Sequence, residues 1–270
     1  MNDKNNIKIV LWVGNEPNQK ALANKLAKKF NVVGIVIETR KAKRKITLKK
    51  IVNSAVEKIF LSSINKAWWG LHEYYNKNYK DYPNVKRLEV ENINSSEAYD
   101  FTTQQSPDLI VVSGTRLIKD KMLSVQSKYG ILNLHTGLSP YIKGGPNCTN
   151  WCIATNQFHL VGNTIMWIDE GIDSGNIVTT EQTDIDWKKS LLDIHIDVME
   201  HAHELYIKAI EFIRKGGVSN VPQSKIAEGK TYYTKEWVLK NKIDLVRNLK
   251  MVKKQGLKNL DNIKVKTIKI

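Results

Sequence analysis

The feature that most constrains the fold is the order of apolar runs at the start of the chain. Residues 7–13 form a strand-length apolar run that stops at Gly14, and residues 19–30 place apolar side chains at helical spacing. A β-branched run follows at 32–37. This β-turn-α-β order is typical of an open, doubly wound α/β sheet. The turn has one glycine and no GxGxxG motif, so the sequence does not support dinucleotide binding.

The same alternation continues along the chain. Strands are predicted at 85–90, 108–113, 130–135, 161–169 and 176–183. Helices are predicted within 40–79 and at 95–105, 147–155 and 191–214. We therefore expect a Rossmann-like doubly wound sheet with a small C-terminal extension. Residues 1–187 are expected to form an N-terminal catalytic domain, and residues 188–270 the long helix and the extension.

Several side chains on the predicted helices are given structural roles. An aromatic cluster is expected in the core or at an interface; it comprises Trp68, Trp69, Tyr74, Tyr75 and Tyr79. The histidines of the long helix are expected at solvated or interface positions; they are His195, His201 and His203. Cys148 and Cys152 are spaced i, i+4 without further ligands at suitable spacing, so no metal site is predicted.

The net charge of +15 suggests a nucleic-acid ligand, so its distribution along the chain matters. Segment 40–58 has eight basic residues and one acidic residue, and segment 235–270 has eleven basic and three acidic residues. The rest of the chain is therefore electrically balanced. The basic residues are 36 Lys and only 6 Arg, whereas bidentate recognition of phosphates and bases favours Arg. The distribution favours two solvated Lys-rich segments over a face that binds nucleic acid.

The composition also predicts a cellular setting. Two cysteines cannot form a disulfide framework, which favours a reducing, cytoplasmic compartment. The N-terminus is polar and lacks the apolar region of a signal peptide. No apolar run approaches the roughly 20 residues that span a bilayer, so no membrane partner is expected.

The residues that most suggest chemistry lie between 132 and 175. Asn133 and His135 stand at i and i+2 at the end of a predicted strand, and therefore on one side of it. An acidic, glycine-rich turn that contains Asp173 follows. An amide can stabilise an oxyanion, an imidazole can take an amine's proton, and a carboxylate can orient the imidazole. Either motif alone is more often structural, but together they favour direct acyl transfer to an amine, without a covalent intermediate.

These motifs resemble those of the folate-dependent formyltransferase family. The resemblance rests on residues 133–140 (NLHTGLSP), the pair Gly144-Gly145, and residues 169–175 (DEGIDSG). That family includes methionyl-tRNA, glycinamide ribonucleotide and sugar N-formyltransferases, and it uses an Asn-x-His…Asp triad with N10-formyltetrahydrofolate. The resemblance implies that Asn133, His135 and Asp173 are catalytic.

The resemblance also implies binding residues. On the folate side they are Ser113, Gly114, Thr115, Arg116, Leu117, Ile118, Asp169 and Gly171. On the acceptor side they are Gly144, Gly145, Tyr232, Tyr233 and Trp237. The acceptor-side aromatic rings suit stacking on a base, and neighbouring lysines suit a diphosphate, but packing of these rings between the tail and the core explains them equally well. The sequence departs from the family's H-x-S-x-L-P pattern, with Gly137 in place of the Ser and Ser139 in place of the Leu.

The acceptor is predicted from length. The 54 residues after Gly216 are too few for the C-terminal barrel of family members that act on initiator tRNA, and the glycinamide ribonucleotide enzymes are shorter. The chain most resembles sugar N-formyltransferases. We therefore expect a homodimer that formylates a nucleotide-diphosphate-linked 4-amino-4,6-dideoxyhexose, with dTDP, GDP or UDP as the nucleotide, for surface polysaccharide (O-antigen) synthesis.

Two alternatives stay open at this point. One is a methionyl-tRNA formyltransferase-like enzyme, which the basic tail supports. The other is a non-enzymatic basic binding protein that has kept a degenerate formyltransferase fold. Only the first of these would transfer a formyl group, so an activity assay separates them.

Overall fold

A computed structural model describes residues 7–39, 61–257 and 265–270. Its strands are β1 (Lys8–Gly14), β2 (Asn31–Glu38), β3 (Arg87–Val90), β4 (Leu109–Ser113), β5 (Gly130–His135), β6 (Ile142–Gly144), β7 (Gly162–Trp167), β8 (Ile177–Gln182) and β9 (Lys230–Tyr232). Its helices are α1 (Pro17–Ala27), α2 (Ser62–Asn78), α3 (Ser96–Gln104), α4 (Asp120–Leu123), α5 (Cys148–Ala154), α6 (Leu191–Arg214) and α7 (Leu239–Gln255). Strands and helices alternate along most of this order.

The central sheet runs in the order β3-β2-β1-β4-β5-β7-β8. The neighbouring pairs among β1 to β5 are all parallel, whereas β7 is antiparallel to both β5 and β8. Alternate side chains of β1 separate two cores. Ile9 and Leu11 pack with α1 and α6, whereas Val10 and Trp12 pack with α3 and α4. Helices therefore cover both faces of a mainly parallel sheet, which confirms the predicted doubly wound α/β fold.

The elements predicted between 85 and 214 agree with the observed ones to within two residues at each end. Ser95 caps α3 by accepting a hydrogen bond from the backbone N of Ala98 at 3.2 Å. The antiparallel direction of β7 and the helix α7 in the basic tail were not predicted. Of the helix predicted within 40–79, α2 covers the second half, and residues 40–60 lie outside the described ranges.

Two structural expectations need correction. His203 is fully buried and His195 is 6% exposed, although both were expected at solvated or interface positions. The reason is that α6 packs against the sheet on one side and against α2 on another. The aromatic cluster is only partly in the core: Tyr75 lies there as expected, whereas Trp68 and Trp69 are 46% and 68% exposed.

The residues after α6 fold back on the rest of the chain. Val221 forms an antiparallel bridge with Ile177, and β9 pairs in parallel with β6. On α7, the amide of Asn248 donates hydrogen bonds to the carbonyls of Ile153 and Ala154 at 3.0 Å each. The extension thus packs on β8, β6 and α5. Within the described ranges, no helix is both long enough and apolar enough to cross a membrane.

We predict that Tyr206→Phe destabilises the fold. The buried hydroxyl of Tyr206 accepts a hydrogen bond from Val112 N at 3.1 Å and donates one to Leu132 O at 2.8 Å, which ties α6 to β4 and β5. Its loss leaves buried backbone groups without this partner, which costs about 1–3 kcal/mol. Urea unfolding measures the change. Tyr233→Phe, at a ring that is 47% exposed, is the control and should change stability little; equal effects would contradict the prediction.

Candidate active site

The site lies at the carboxyl ends of β4 and β5, beside the point where the strand order reverses between β1 and β4. Leu132 and Leu134 of β5 point into the core beneath α6. The alternate residues Asn133 and His135 therefore face the other side of the sheet. Asn133 is half-buried and His135 is buried. The strand thus sets an amide and an imidazole side by side.

Asp173 reaches this pair from segment 168–176, which joins β7 to β8. Its Oδ2 lies 3.3 Å from His135 Nδ1 and accepts a hydrogen bond from Gly144 N at 3.0 Å. Its Oδ1 accepts from Asn133 Nδ2 at 3.5 Å. The backbone of Asp173 has φ +48°, in the left-handed region that residues other than glycine seldom adopt. The fold therefore brings Asn133, His135 and Asp173 together around one carboxylate.

Both ring nitrogens of His135 face hydrogen-bond acceptors. Nδ1 faces the Asp173 carboxylate, and Nε2 lies 3.2 Å from the carbonyl of Ile142, which can only accept. A proton on each nitrogen satisfies both contacts, as in an imidazolium. Burial by itself lowers the pKa of His135, but the Asp173 carboxylate and the Cys148 sulfur raise it, to about 10. His135 is therefore positively charged at neutral pH.

Cys148 adjoins the imidazolium on the side of Nε2. Its Sγ lies 3.5 Å from that nitrogen and 3.5 Å from the Gly144 carbonyl. Burial raises the pKa of the thiol, although His135 lowers it, and the thiol stays protonated. A side chain at Gly137 would collide with both the His135 ring and the Cys148 sulfur. This packing explains the glycine that stands where the family often has serine.

The folate-side residues predicted after β4, 113–118, all line the cavity in front of this triad. Their loop is held by Glu38, which is fully buried at the end of β2. The Glu38 carboxylate pairs with Arg116 Nε at 2.6 Å and accepts hydrogen bonds from Arg116 N at 2.8 Å and Ile93 N at 2.9 Å. The guanidinium of Arg116 is thus engaged in fixing the loop. Leu117 is left exposed on the cavity wall.

The other two folate-side residues shape the segment that carries Asp173. Asp169 Oδ1 accepts hydrogen bonds from Gly171 N at 3.0 Å and from Ser174 Oγ at 2.6 Å. Both Asp169 and Gly171 are exposed and line the cavity. The carboxylate of Asp169 therefore closes a turn at the cavity mouth.

The two glycines predicted on the acceptor side join the site to the extension. Gly144 has φ +83°, and a Cβ there would collide with the carbonyl of Tyr232. Gly145 N donates a hydrogen bond to that same carbonyl at 3.0 Å. Glycine is required at 144 both by the backbone conformation and by the close approach of β9.

The three aromatic residues predicted on the acceptor side differ in their surroundings. Tyr232 is buried, and its ring stacks on Trp151 with 4.4 Å between ring centres. Trp237 meets the same indole edge-on at 4.8 Å. Both rings are engaged in packing. Tyr233 is 47% exposed and lines the cavity, so its ring is the one available to a ligand.

The cavity has a volume of about 570 Å³, which is in the range of small-ligand sites. From α2 it receives Trp68 and His72, whose ring centres lie 4.5 Å apart. Leu117 and Ile172 expose apolar surface on its wall. Nowhere in the described ranges do three His, Cys, Asp or Glu side chains cluster so as to hold a metal ion. The arrangement suits a flat heteroaromatic ligand beside a centre for acyl transfer.

Several residues that shape the site were not predicted. Glu38 ends an otherwise apolar run. A charged residue at the end of a buried strand is rarely buried without a partner, so the sequence does carry a signal for a paired Glu38. Cys148 closely follows Gly144 and Gly145, which we call the glycine loop, but no local sequence pattern shows that Cys148 contacts His135. Gln223 donates a hydrogen bond to the carbonyl of Asp173, a contact between residues 50 positions apart that leaves no local pattern. The sequence pattern predicts a structural role for Trp68 and gives no signal for His72.

Comparison with known proteins assigns a family to this fold. Residues 7–210 match the family model described as formyl transferase. A methionyl-tRNA formyltransferase of Fusobacterium nucleatum is 31% identical over 142 residues, which cover 53% of this chain and 45% of that protein. The chain spans less than half the length of the curated relatives it matches first.

Solved structures share the fold over more of the chain. A 4-N formyltransferase from Francisella tularensis has a TM-score of 0.53 and 17% identity, and the match covers 90% of this chain and 87% of that one. The sugar 3N-formyl transferase WlaRD, solved in the presence of dTDP and 5-N-formyl-THF, has a TM-score of 0.53 and 17% identity, and covers 90% and 79% of the two chains. At these identities the likeness concerns the fold.

We predict that Asp173→Asn lowers the pKa of His135, because the carboxylate holds the imidazolium in its charged form. Histidine ring signals in an NMR pH titration measure it. In the unmodified protein His135 stays protonated to about pH 10, while His195 stays neutral down to about pH 4 because burial lowers its pKa. In the variant the midpoint of His135 falls while that of His195 stays. A midpoint of His135 that does not move would contradict the prediction.

The same pair makes stability depend on pH. The pKa of His135 is raised above 6.5, the value of an unperturbed histidine. Its protonated form therefore stabilises the folded state fully below pH 6.5, and this contribution is lost as the pH rises towards about 10. Denaturant unfolding across that interval should show a smaller decline for Asp173→Asn than for the unmodified protein.

Proposed function

We propose a function on the basis that the chain belongs to the formyl transferase family. In this proposal the chain transfers a formyl group from N10-formyltetrahydrofolate to a primary amine. The amine belongs to a nucleotide-diphosphate-linked amino-dideoxysugar of the 4-amino-4,6-dideoxyhexose type. The observation that carries this proposal is the convergence of Asn133, His135 and Asp173 on one cavity. An amide donor, an imidazolium and a carboxylate are the groups that acyl transfer to an amine needs when the enzyme supplies no nucleophile.

The described cavity fits the folate co-substrate that this family uses. Leu117 and Ile172 expose apolar surface that can contact a flat pterin. The backbone of 113–118, which Glu38 holds in place, offers hydrogen-bonding groups to the polar edge of such a ring. When bound, N10-formyltetrahydrofolate supplies an activated formyl carbon.

The residues of the triad have distinct tasks in this proposal. The amide of Asn133 and the positive charge of His135 stabilise the oxyanion that develops on the formyl oxygen. One proton must leave the acceptor amine, and one must reach the nitrogen that releases the formyl group. Because its pKa is raised, His135 begins as the acid and then takes the amine's proton, instead of beginning as the base expected from the sequence. Nε2 faces a neutral carbonyl and is the nitrogen more easily freed for this transfer.

The acceptor side supports a ligand with a base and a diphosphate. Tyr233 exposes its ring to the cavity, and Trp68 lines the same cavity from α2. Lys235 Nζ lies 5.6 Å from the centre of the Tyr233 ring. A cation beside an exposed aromatic ring suits a phosphate beside a base. The fold likeness to WlaRD, over 90% of the chain, is consistent with an acceptor of this class.

We predict formyl transfer in an assay with both substrates, followed by mass spectrometry of the product. His135→Asn should lower kcat about 10²–10⁴-fold by removing the acid and base. Asn133→Ala should lower it about 10²–10³-fold by removing an oxyanion donor. His159→Asn is the matched control, because His159 is outside the residues that line the cavity. Full turnover by His135→Asn would overturn the assignment.

The acceptor is tested in the same assay with a panel at equal concentrations. The panel contains dTDP-, GDP- and UDP-linked amino sugars, glycinamide ribonucleotide and methionyl-tRNA. We expect one nucleotide-linked amine to give the highest kcat/KM, because Tyr233 and its neighbours contact the base. A higher kcat/KM for methionyl-tRNA or glycinamide ribonucleotide than for any nucleotide-linked amino sugar would overturn the sugar acceptor. The proposed formyl transfer would still hold.

Methionyl-tRNA is the second candidate acceptor, on two observations. Curated relatives near 31% identity are methionyl-tRNA formyltransferases. Helix α7 exposes a set of lysines to solvent, namely Lys240, Lys250, Lys253 and Lys254. An exposed lysine face attracts phosphates through charge alone, so its presence does not by itself make tRNA a substrate.

We predict weak tRNA binding that disappears at moderate salt. A gel-shift titration at several salt concentrations measures it, since the logarithm of affinity falls with the logarithm of salt in proportion to the phosphates contacted. Lys253→Glu together with Lys254→Glu should weaken any binding that uses α7. Binding that survives physiological salt and is lost in the double variant would favour the tRNA acceptor.

The remaining expectations stay predictions and are part of this proposal. They are the homodimer, the cytoplasmic location, a role in surface polysaccharide synthesis, and the division of the chain at residue 187. The family match continues to residue 210, through most of α6. Sedimentation of the purified chain measures the oligomeric state directly.

A further inference from the structure

One segment after α6 contacts both parts of the chain that hold Asp173. We call residues 219–232 the strap. At its start, Trp167 Nε1 donates a hydrogen bond to Ser219 O at 2.9 Å, and Ser219 Oγ donates to Val178 O at 2.7 Å. At its end, β9 pairs with β6 and accepts a hydrogen bond from Gly145 N. The strap thus runs from the base of segment 168–176 to the glycine loop that donates to the Asp173 carboxylate.

Gln223 is the residue of the strap that reaches Asp173. Its Nε2 donates hydrogen bonds to Asp173 O at 2.7 Å and to Gly175 O at 2.9 Å. The side chain is 8% exposed. Its backbone is held nearby, because Val221 and Ile177 exchange two hydrogen bonds of 3.0 and 2.8 Å. Both hydrogens of one buried amide are therefore used to hold the backbone on either side of Ser174.

Within segment 168–176, the carboxylate of Asp169 also ties Gly171 N and Ser174 Oγ, but neither contact reaches the Asp173 carbonyl. Gly171, Ile172 and Ser174 are exposed, so packing fixes little of the turn. Asp173 itself has φ +48°, a left-handed conformation that costs backbone energy in most L-residues, although Asp adopts it more readily than most. The carboxylate has to reach His135 and Gly144 from this strained turn. A contact that fixes the Asp173 carbonyl restrains the backbone from which its side chain projects.

We propose that Gln223 is the positioning residue of the catalytic carboxylate, and that the strap is for this reason an integral part of the active site. Gln223 acts through Asp173 and does not touch the reacting groups. Its kinetic consequences rest on the formyl transfer proposed above. Its structural consequence, the placement of Asp173 against His135, is independent of which acceptor the enzyme uses.

The chain offers a matched pair of variants for the test. Asn248 is also a buried amide of the extension, 5% exposed, and it also donates to two backbone carbonyls, at 3.0 Å each. Its partners are Ile153 and Ala154 at the end of α5, outside the triad. Gln223→Met and Asn248→Leu each remove a double donor and keep much of the side-chain volume. Both should lower the melting temperature of the full chain.

Only Gln223→Met should change the active site. We expect the NMR midpoint of His135 to fall by about 1 unit or more, because the carboxylate is no longer held against the imidazolium. With the best acceptor of the panel, kcat should fall about 10- to 100-fold with little change in KM, as expected for a displaced catalytic group. Asn248→Leu should leave the His135 midpoint and the kcat of the folded protein unchanged.

The outcomes separate this proposal from the proposed function. An unchanged His135 midpoint in folded Gln223→Met overturns the positioning role, whatever the activity of the unmodified protein. A lowered midpoint in a protein that formylates no acceptor supports the positioning role and overturns the function. Equal effects of Gln223→Met and Asn248→Leu on the His135 midpoint would reduce Gln223 to a general structural residue.

A second variant and a measurement on the unmodified chain guard against misfolding. Gln223→Leu also removes both donors and adds no charge, so it should lower the His135 midpoint in the same direction. In the unmodified protein, the side-chain NH₂ of Gln223 should exchange slowly with solvent in NMR spectra, since both hydrogens are bonded and buried. Exchange as fast as that of an exposed glutamine would contradict the proposal even if neither variant folds.

Discussion

The contact between Asp173 and His135 is the interaction on which the rest of the site depends. A buried imidazolium is unfavourable unless an opposite charge lies beside it, and a carboxylate that is largely exposed to water stabilises it less. Here the Asp173 side chain is 15% exposed and the His135 side chain 8% exposed, and their atoms lie 3.3 Å apart. Hydrogen bonds from Asn133 and Gly144 occupy the same carboxylate. The strand β5, the turn 168–176 and the glycine loop are therefore arranged around one negative charge.

The sheet and half of this site could be predicted from the sequence because the signals are local. Apolar runs and helical spacing define strands and helices over a few residues, and the alternation of β5 places Asn133 and His135 on one face. The approach of Asp173 has no such signal. β7 runs antiparallel to β5, and the turn after it folds back over that strand. The acidic, glycine-rich turn that follows predicts a carboxylate near the imidazole, and the resemblance to a family assigns that role to Asp173.

The parts that sequence reasoning missed depend on contacts between distant residues. Aromatic composition made Tyr232 and Trp237 candidates for stacking on a base, but it cannot show that the Trp151 indole already lies against both rings. The helix α7 has buried apolar residues at Leu245 and Leu249, a helical spacing that the many lysines around it obscured. Both cases have one cause: whether a side chain meets protein or solvent is decided by the packing of the extension on α5.

The charges of the cavity and of its surroundings differ in a way that gives a nucleotide-linked amine one orientation. The interior is acidic, since Glu16 and Asp169 line it, whereas Asp173 faces His135 and the guanidinium of Arg116 is paired with Glu38. Cations lie instead beside the tyrosines of the extension, where Lys235 Nζ is 5.6 Å from the Tyr233 ring centre. A diphosphate is stabilised near such lysines, and an amine is attracted towards the carboxylates. In the proposed reaction, a substrate with a phosphate end and an amine end therefore presents its amine to the triad, whereas a substrate whose phosphate lies close to its amine does not satisfy both regions at once.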